Sequence, residues 1–432
     1  MADTENQGIK TNKKFNAHSI WPNFKAWLYK NRYYLLAFFI PVAIVYIAYA
    51  MFDIYPFGDN SVLVLDLNGQ YISYFEAIRD AVWGDGSIFY NWSRNLSGNY
   101  MGVIGYYLAS PFTLIVILLP HRMILGSILI MQLCKIGASA VTFSLYLQKN
   151  KDVKPIHSVI FATMYATMAY MIVQLMDPMW LDGLVFLPLI IMGIERLVDG
   201  KKFIGYIIPL GIMFIANFYI GYMVGIFSCI YFLYYVIFGS DKLKRSAYNI
   251  FNAIIRFAVS SVIAIMCAAI MLLPVYYVLK LGKFDFSNPD FSFRLQFTAI
   301  DIIPKLFPLT YDTVRNEGLA SLYCGVLSVL MLPLFFINKN ISGRLKAGNA
   351  LLLMIMFFSM YIKPVDMAWH GFQSPNWLPY RYSFMISFII LTMAVTAFKN
   401  LDGISSKTIW GCFAAFIIYL LYADKANYEN VS

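Results

Sequence analysis

The sequence predicts an all-α polytopic membrane protein, and its composition, its apolar segments and the placement of its basic residues all indicate that class. Hydrophobic residues make up 60% of the 432 residues and charged residues only 13%, whereas a soluble domain is about half apolar and about a quarter charged. Several apolar segments reach the roughly 20 residues that a helix needs to cross about 30 Å of hydrocarbon. Lipid is therefore the expected solvent for most of the chain.

The net charge of +10 does not indicate nucleic-acid binding, because basic residues also hold loops of a membrane protein on the cytoplasmic side. We expect residues 1–32 to form a basic cytoplasmic tail ahead of the first apolar segment. The predicted location is the plasma membrane, with membrane lipids and no nucleic acid among the partners. The five cysteines lack metal-binding spacing and read as packing residues.

The apolar piece at 101–120 decides the predicted topology. Pro111 interrupts it and Pro120 closes it, and counting it as a span would place the basic loop at 149–154 outside. We therefore expect this piece to dip into the outer leaflet or lie along it. The basic loops then alternate to the cytoplasmic side, and about eleven spans result: 33–52, 123–147, 156–175, 183–198, 203–217, 219–238, 250–278, 319–337, 348–362, 380–398 and 405–422.

These assignments divide the chain into three parts. A basic tail precedes a multispan membrane domain at 33–422, and an external tail follows at 423–432. The membrane domain includes a first external loop and juxtamembrane segment at 53–122. The predicted external loops are long and rich in aromatic residues, so we expect the chemistry on the extracellular face.

The first external loop contains the densest group of polar residues. Asp66 is the first candidate for a catalytic carboxylate and Asp59 the second. A carboxylate beside a membrane surface suits proton abstraction from an acceptor hydroxyl, or coordination of a divalent cation near a phosphate. The alternative is that both residues cap turns or helices in a solvated loop.

Residues 68–83 follow with helical spacing. Gln70, Tyr71 and Arg79 are candidate substrate-binding residues on this helix. Tyr71, Phe75 and Ile78 form one apolar stripe, which predicts an amphipathic helix lying on the membrane.

A second polar cluster, at 369–382, precedes a predicted span. Arg381 is the candidate phosphate ligand, because arginine at a membrane boundary can hold a lipid phosphate with two hydrogen bonds. Tyr382 and His370 are candidate substrate-binding residues, and His370 could instead satisfy a loop carbonyl. The alternative for the whole cluster is an aromatic belt with an anchoring arginine.

Three smaller features complete the candidate site. A short outer turn carries Asp177 and Asp182, and Asp182 is a candidate substrate-binding residue. The polar hinge between two spans adds Asn217 and Tyr219 as further candidates. Lys135 lies within a span, where a charge is costly unless it faces the protein interior or an aqueous cleft. It is therefore either a functional residue or part of a structural ion pair.

Several common catalytic motifs are absent from the sequence. It contains no HExxH, no GxxxxGK[ST], no GxSxG and no paired Cys/His zinc pattern. ATP-driven transport within this chain and a histidine-rich metal centre are therefore not indicated.

A set of short motifs spread over nearly the whole chain resembles the bacterial YfhO family of large membrane proteins, which is assigned to the GT-C glycosyltransferase superfamily. The motifs are Pro56-Phe57-Gly58, Asp66, Gln70-Tyr71, Tyr106 to Phe112, Trp180-Leu181-Asp182 with Leu187-Pro188, Asn217-Phe218-Tyr219, His370 and Pro379 to Phe384. Family members are usually much longer, so we expect this chain to correspond to the amino-terminal membrane half of one.

The resemblance implies a GT-C-like helical bundle and an enzyme that transfers a sugar from a polyprenyl-phosphate carrier to an extracellular acceptor. In Gram-positive relatives that acceptor is typically a teichoic acid, often lipoteichoic acid. Enzymes of this superfamily place a catalytic Asp or Glu in the first external loop, which assigns the role to Asp66 with Asp59 second. Metal dependence varies across the superfamily, so a divalent cation is compatible but none is assigned.

Two other classes of function stay open at this point. The same external cavity would suit a transporter or flippase that moves a lipid-linked glycan without breaking a bond. A non-catalytic membrane subunit is the third class.

Overall fold

The computed structural model describes residues 20–93, 98–243, 246–282, 289–308, 318–375 and 377–425. Parts of three predictions lie outside these residues. They are the basic tail up to residue 19, the external tail from residue 426, and Lys244, Arg245 and Asn376 of two predicted loops.

Regular structure in the described residues is almost entirely helical. Short π-helical turns lie at Leu67–Tyr71, Ile104–Leu108 and Tyr235–Gly239. The strands β1 (Tyr90–Asn91) and β2 (Gly98–Asn99) pair antiparallel. The α-helices are α1 (Ile20–Met51), α2 (Ile72–Trp83), α3 (Met101–Val103), α4 (Thr113–Leu118), α5 (Ile124–Asn150), α6 (Pro155–Ala166), α7 (Ala169–Val173), α8 (Asp182–Val198), α9 (Ile204–Ala216), α10 (Phe218–Tyr234), α11 (Ala247–Gly282), α12 (Val326–Ile337), α13 (Gly343–Tyr361), α14 (Lys363–Trp369), α15 (Phe384–Lys399) and α16 (Ser406–Lys425).

Several of these helices have the length and composition of membrane spans, and the all-α membrane class is confirmed. Four segments of the described chain are long and apolar enough to cross a membrane, and α6 with Ala169–Met176 makes a fifth if the pair is one bent span. Four shorter helices, α9, α12, α15 and the Ser406–Tyr422 part of α16, are also apolar. The count of eleven spans stays a prediction.

Each predicted span contains a helix, and at three places the helices differ from the predicted segments. The first helix begins at Ile20, so part of the predicted tail is helical. The predicted span 156–175 is bent by 45° between α6 and the Ala169–Met176 segment. The predicted span 319–337 is helical only from Val326, since Gly325 ahead of it has a φ of +103°. A left-handed backbone of that kind stops a helix from extending backwards.

The apolar piece at 101–120 forms two short helices, α3 and α4, separated by a π-helical turn and a break at Ala109–Phe112. Neither is long enough to span a bilayer. The predicted helix at 68–83 is present as the π-helical turn Leu67–Tyr71 continued by α2. Its apolar stripe of Tyr71, Phe75 and Ile78 is buried inside the protein, so that stripe packs on neighbouring helices and does not lie on the membrane.

The core is built around α8. Nearly every residue of α8 is buried, and the helix packs against α5, α9 and α10. Gly193 permits the close approach of α9, because a Cβ there would lie 2.6 Å from the carbonyl oxygen of Gly205.

At the periphery, only 17% of the most apolar stretch of α1 and of α11 is buried, against 56% in α5. The exposed apolar faces of α1 and α11 are therefore the surfaces offered to lipid.

The predicted inner loops meet at one end of the bundle, which we call the Glu195 end. There the ammonium group of Lys399 donates to the carbonyl oxygen of Lys151 at 2.9 Å, and Arg344 donates to the carbonyl oxygen of Ile237. At the other end of α5 and α8 lies the segment that carries Asp66, and we call this the Asp66 end. The two ends of α8 are separated by about 25 Å, given 17 residues at about 1.5 Å each.

Candidate functional site

Asp66 lies at the start of the helix formed by Leu67–Tyr71 and α2. Leu65 just before it has a φ of +48°, a left-handed turn that redirects the chain into the helix. Asp66 occupies the position of an N-terminal cap but makes no capping hydrogen bond with its side chain. Its side chain is exposed. The structure therefore does not support the alternative that the Asp66 carboxylate caps a helix.

Tyr71 connects Asp66 to a second carboxylate from a distant part of the chain. Its hydroxyl donates to Oδ1 of Asp177 at 2.8 Å and lies 3.3 Å from Oδ2 of Asp66. A phenol has one proton to donate, so the shorter contact with Asp177 takes it. When Asp177 is itself protonated, it can donate to the phenol oxygen, and the Tyr71 proton is then free to turn to Asp66.

Asp177 is a buried acid with an incomplete set of partners. Only 1% of the residue is exposed, and its Oδ2 has no hydrogen-bond partner within the described residues. Burial raises the pKa of Asp177 to about 7, with a further increase from the charge of Asp66, although the Tyr71 hydrogen bond and the Arg381 charge oppose the rise. Both protonation states of Asp177 are thus populated near neutral pH.

Arg381 approaches the same region from the loop ahead of α15. Its Cζ lies 4.6 Å from the ring centroid of Trp180 and 5.3 Å from that of Tyr219. The guanidinium is aimed by hydrogen bonds to the carbonyl oxygens of Leu378 at 3.2 Å and Trp377 at 3.0 Å. Stacking on aromatic faces leaves part of an arginine's hydrogen-bonding fork free for an anion.

Aromatic rings join the acidic and basic parts. The Tyr106 hydroxyl accepts from the Trp180 indole at 3.2 Å and lies 3.5 Å from the Arg381 guanidinium. The ring of Tyr107 is 4.6 Å from that of Tyr106 and 5.0 Å from that of Tyr71. The resulting Asp66 cluster comprises Asp66, Tyr71, Tyr106, Tyr107, Asp177, Trp180, Tyr219 and Arg381.

Asp182, five residues after Asp177, lies in the protein core. It is fully buried and forms an ion pair with Lys135 at 2.7 Å, and it accepts from the Ser110 hydroxyl at 2.9 Å. Lys135 also donates to the carbonyl oxygen of Pro178 at 2.7 Å. The ion pair agrees with the structural interpretation of Lys135, whereas substrate binding by Asp182 stays a prediction.

Two further predicted substrate-binding residues are structural. Asn217 is fully buried, caps α10 by accepting from the backbone of Ile220 at 2.8 Å, and donates to the carbonyl oxygen of Tyr106 at 2.8 Å. The buried guanidinium of Arg79 donates to the carbonyl oxygens at the end of α4, including that of Ile117 at 3.2 Å. Asn217 thus holds the backbone at Tyr106 in place, and Arg79 holds the end of α4.

His370 and Tyr382 lie behind the Asp66 cluster. Tyr382 is fully buried and donates to Asp366 at 2.8 Å. Nδ1 of His370 lies 2.9 Å from the carbonyl oxygen of Asp366. Burial lowers the pKa of His370 to about 4, so the imidazole is neutral and its proton must be on Nδ1. His370 therefore donates to a backbone carbonyl within α14 rather than to a loop carbonyl, and substrate binding by His370 and Tyr382 stays a prediction.

The remaining predicted residues differ in position. Tyr219 is partly exposed beside Arg381. Gln70 is partly exposed on the turn that carries Tyr71. Asp59 is exposed, and within the described residues its side chain makes no hydrogen bond or ion pair with the cluster. Of the two candidate carboxylates in the first loop, Asp66 alone is joined to it.

The structure adds a carboxylate and an aromatic wall, formed by Tyr106, Tyr107 and Trp180, to the candidates chosen from the sequence. Asp177, Tyr106, Tyr107 and Trp180 were not selected as site residues. A usable signal was present, because Asp177 directly follows an apolar helix and precedes Pro178. Which carboxylate meets Lys135 depends on how α5 and α8 face each other, and spacing along the chain does not reveal that.

The described part of the chain contains no group of three or more His, Cys, Asp or Glu side chains that could hold a metal ion. Arg381 is the cationic side chain of the Asp66 cluster.

The fold and the cluster define a helical membrane protein with an acidic, aromatic and arginine-bearing site at one end of its bundle. The family described as "Bacterial membrane protein YfhO" matches residues 37–432. The chain belongs to this YfhO family, which confirms the resemblance seen in the sequence.

One relative shows how much of a longer protein this chain corresponds to. The "Uncharacterized protein YfhO" of Bacillus subtilis (strain 168) is 24% identical over 356 residues, which cover 78% of this chain and 38% of that protein. The chain thus matches less than half of that relative's length. No solved structure matches the chain.

Proposed function

We propose that this protein is a GT-C-type membrane glycosyltransferase that moves a sugar from a polyprenyl-phosphate carrier to an extracellular acceptor such as lipoteichoic acid or another cell-wall polymer. The observation that carries the proposal is the Asp66 cluster. It combines an exposed carboxylate, a buried acid that titrates near neutral pH and a stacked guanidinium, from three distant segments of the chain.

In the proposed reaction, Asp66 takes the proton of the acceptor hydroxyl as that oxygen attacks the anomeric carbon of the sugar. A glycosidic C–O bond forms, and the C–O bond to the carrier phosphate breaks. The bonding electrons stay on the phosphate oxygen, and Arg381 stabilises that charge. Tyr71 holds Asp66 beside Asp177, whose raised pKa keeps the second carboxyl partly neutral.

The membrane arrangement that accompanies this proposal has a cytoplasmic amino terminus, about eleven spans and the Asp66 end outside. Its support is the separation of two sets of loops. Segments with predicted cytoplasmic lysines meet at the Glu195 end, while the first external loop and the loop before α15 meet at the Asp66 end. Labelling of cysteines introduced at Asp59 and at Lys202 in intact cells tests it, and labelling of both from outside would contradict it.

The central test compares two carboxylates of the same exposed loop. Purified full-length chain receives polyprenyl-phosphate glucose or polyprenyl-phosphate N-acetylglucosamine with lipoteichoic acid, and sugar transfer is measured. Asp66→Asn should lower transfer by about 10²- to 10⁴-fold, the range for loss of a general base. Asp59→Asn is the matched control and should keep the wild-type rate. Undiminished transfer by Asp66→Asn would remove Asp66 from the mechanism.

A second variant tests the role of the guanidinium. Arg381→Lys keeps the charge but loses the planar fork that can hold a phosphate with two hydrogen bonds. Transfer should fall by about 10- to 100-fold, with weaker retention of the polyprenyl-phosphate product. Equal product binding by the wild type and Arg381→Lys would place the phosphate elsewhere.

The same preparation separates the enzyme from its rivals. A translocator forms no glycosylated product but moves a labelled polyprenyl-phosphate sugar across a vesicle membrane. A non-catalytic subunit does neither, and a longer YfhO relative cut at the equivalent position would then also lose its activity.

A further inference from the structure

A half-open pocket lies at the Glu195 end, about one helix length from the Asp66 cluster. Three segments that are far apart in sequence form it: the end of α5, the end of α8 with the loop that follows, and the π-helical turn after α10 with its loop. Its lining residues are Lys149, Asn150, Glu195, Arg196, Asp199, Lys201, Tyr235 and Lys242. All three segments precede or form predicted cytoplasmic loops.

The buried carboxylate of the pocket is already neutralised by the protein. Glu195 accepts from the hydroxyls of Tyr146 at 2.9 Å and Tyr231 at 2.7 Å. It also accepts from Asn150 at 3.0 Å and forms an ion pair with Lys151 at 2.7 Å. A carboxylate held by four donors, one of them a cation, repels an incoming anion far less than a free one would.

The second acid and the arginine of the pocket are also held in place. Asp199 accepts from the Ser240 hydroxyl at 2.8 Å and lies 3.3 Å from the Tyr235 hydroxyl. Nε of Arg196 donates to Oδ1 of Asn150 at 2.9 Å. This hydrogen bond orients the guanidinium. Its two terminal nitrogens make no hydrogen bond within the described residues, so they are available to a ligand.

The rim carries three exposed cations. Lys149, Lys201 and Lys242 are exposed, and within the described chain their ammonium groups form no ion pair or hydrogen bond. With Arg196 they place four positive charges around a concavity whose two acids are engaged. Convergent ammonium and guanidinium donors are the chemistry that recognises a phosphate ester.

Apolar surface beside the pocket indicates that the phosphate belongs to a lipid. Phe203 and Ile204 follow Lys201 directly and are 46% and 53% exposed. Ile237, in the turn that begins with Tyr235, is 53% exposed. A headgroup in the pocket would leave its acyl chains against this surface, whereas a free phosphate ion would use none of it.

We propose that this pocket binds the phosphate of an anionic lipid headgroup, at a site separate from the Asp66 cluster and independent of sugar transfer. The lipid would join the three loops that form the pocket and fix the ends of α5, α8 and α10 relative to one another. Clustered lysine and arginine at a helix end are a recognised binding pattern for anionic headgroups.

The test uses the purified full-length chain in a neutral detergent with phosphatidylglycerol as the probe. Native mass spectrometry counts retained lipid, and thermal unfolding reports stabilisation. The wild type should retain phosphatidylglycerol at least about tenfold more tightly than phosphatidylcholine. The rim variant Lys149→Gln/Lys201→Gln/Lys242→Gln should lose that preference.

A charge-matched control distinguishes the pocket from general surface charge. Lys202→Gln/Lys339→Gln/Lys407→Gln removes three predicted cytoplasmic lysines that do not line the pocket, and it should bind like the wild type. The neighbouring single variants Lys201→Gln and Lys202→Gln repeat the comparison with the least change to the protein. Equal losses in the rim and control variants would overturn the proposal.

The source of the phosphate is tested in the same experiment. Inorganic phosphate and glycerol phosphate, at millimolar concentration, should stabilise the wild type less than phosphatidylglycerol does. If they stabilise it equally and compete with the lipid, the ligand is a soluble phosphate and the lipid assignment is wrong.

Discussion

The two ends of α8 each contain a buried acid beside a set of tyrosines, but the two acids are held in opposite ways. Glu195 has four hydrogen-bond donors, including one ion-paired lysine. Asp177, just ahead of α8, has one donor and an unpartnered oxygen. The protein completes the hydrogen bonds of one acid and leaves those of the other open.

How completely a buried acid is hydrogen-bonded distinguishes a structural role from a functional one more clearly than its degree of burial does. A buried carboxylate with an unpartnered oxygen lowers the stability of the folded chain relative to one whose hydrogen bonds are all made, and the proposed function gives Asp177 a use for that open position. Asp182 extends the comparison, because it lies within the same turn as Asp177 and is fully paired with Lys135. The variants below test this division, beginning with the largest expected effect.

Lys135→Met should destabilise the protein by about 3–5 kcal/mol, because it leaves Asp182 charged and unpaired in the core. The measurement is thermal or denaturant unfolding of the detergent-solubilised protein. Lys135→Met/Asp182→Leu removes both charges and should recover most of the loss. If the double variant is no more stable than the single one, the ion pair is not the reason for the loss.

Asp177→Asn should stabilise the protein at alkaline pH, in contrast to the destabilising Lys135→Met. The folded pKa of Asp177 is about 7 and the unfolded value about 3.9, so the folded state binds more protons between these values. Wild-type stability contributed by Asp177 is therefore present at low pH and is lost as the pH rises through 7. Relative to Asp177→Asn, the wild type should lose roughly 2–3 kcal/mol between pH 5 and pH 8. A pH-independent difference between the two unfolding midpoints would contradict the raised pKa.

Glu195→Gln should destabilise the protein by about 2 kcal/mol, since charge-assisted hydrogen bonds from tyrosine and lysine are weakened. The rate of sugar transfer per folded molecule should stay at the wild-type value. Unfolding midpoints and transfer assays on the same preparation provide both readings. A large loss of sugar transfer with unchanged stability would show that Glu195 is not a structural acid, and the contrast between Glu195 and Asp177 would then be wrong.

Tyr71→Phe should have the smallest effect. It removes the hydroxyl between Asp66 and Asp177 while keeping the ring packed on Tyr107. Sugar transfer should fall by about tenfold or less, the value of one hydrogen bond that positions a catalytic group. Tyr74→Phe is the control, because its ring also packs on Tyr107 but its hydroxyl does not lie between two carboxylates. Equal effects of the two variants would assign the loss to packing.

Helices and loops were predictable to different extents. Every predicted span contains a helix, because a length of about 20 apolar residues is a local property that lipid imposes directly. The late start of α12 and the bend after α6 were not predicted. Both depend on contacts between distant segments, such as the hydrogen bond from the backbone of Ala169 to the carbonyl oxygen of Tyr323.

Composition, apolar lengths and short motifs were sufficient to predict the membrane class and the family, and to select Asp66 and Arg381 as candidates. Only the packing of α5 against α8 separates Asp177 from Asp182, since a lysine in the middle of one helix selects the carboxylate that it can reach. Tertiary packing likewise buries Asn217, His370 and Tyr382, which the sequence placed in external loops or hinges. Sequence spacing records which residues are present near a helix end, whereas their partners depend on how the helices rotate and pack.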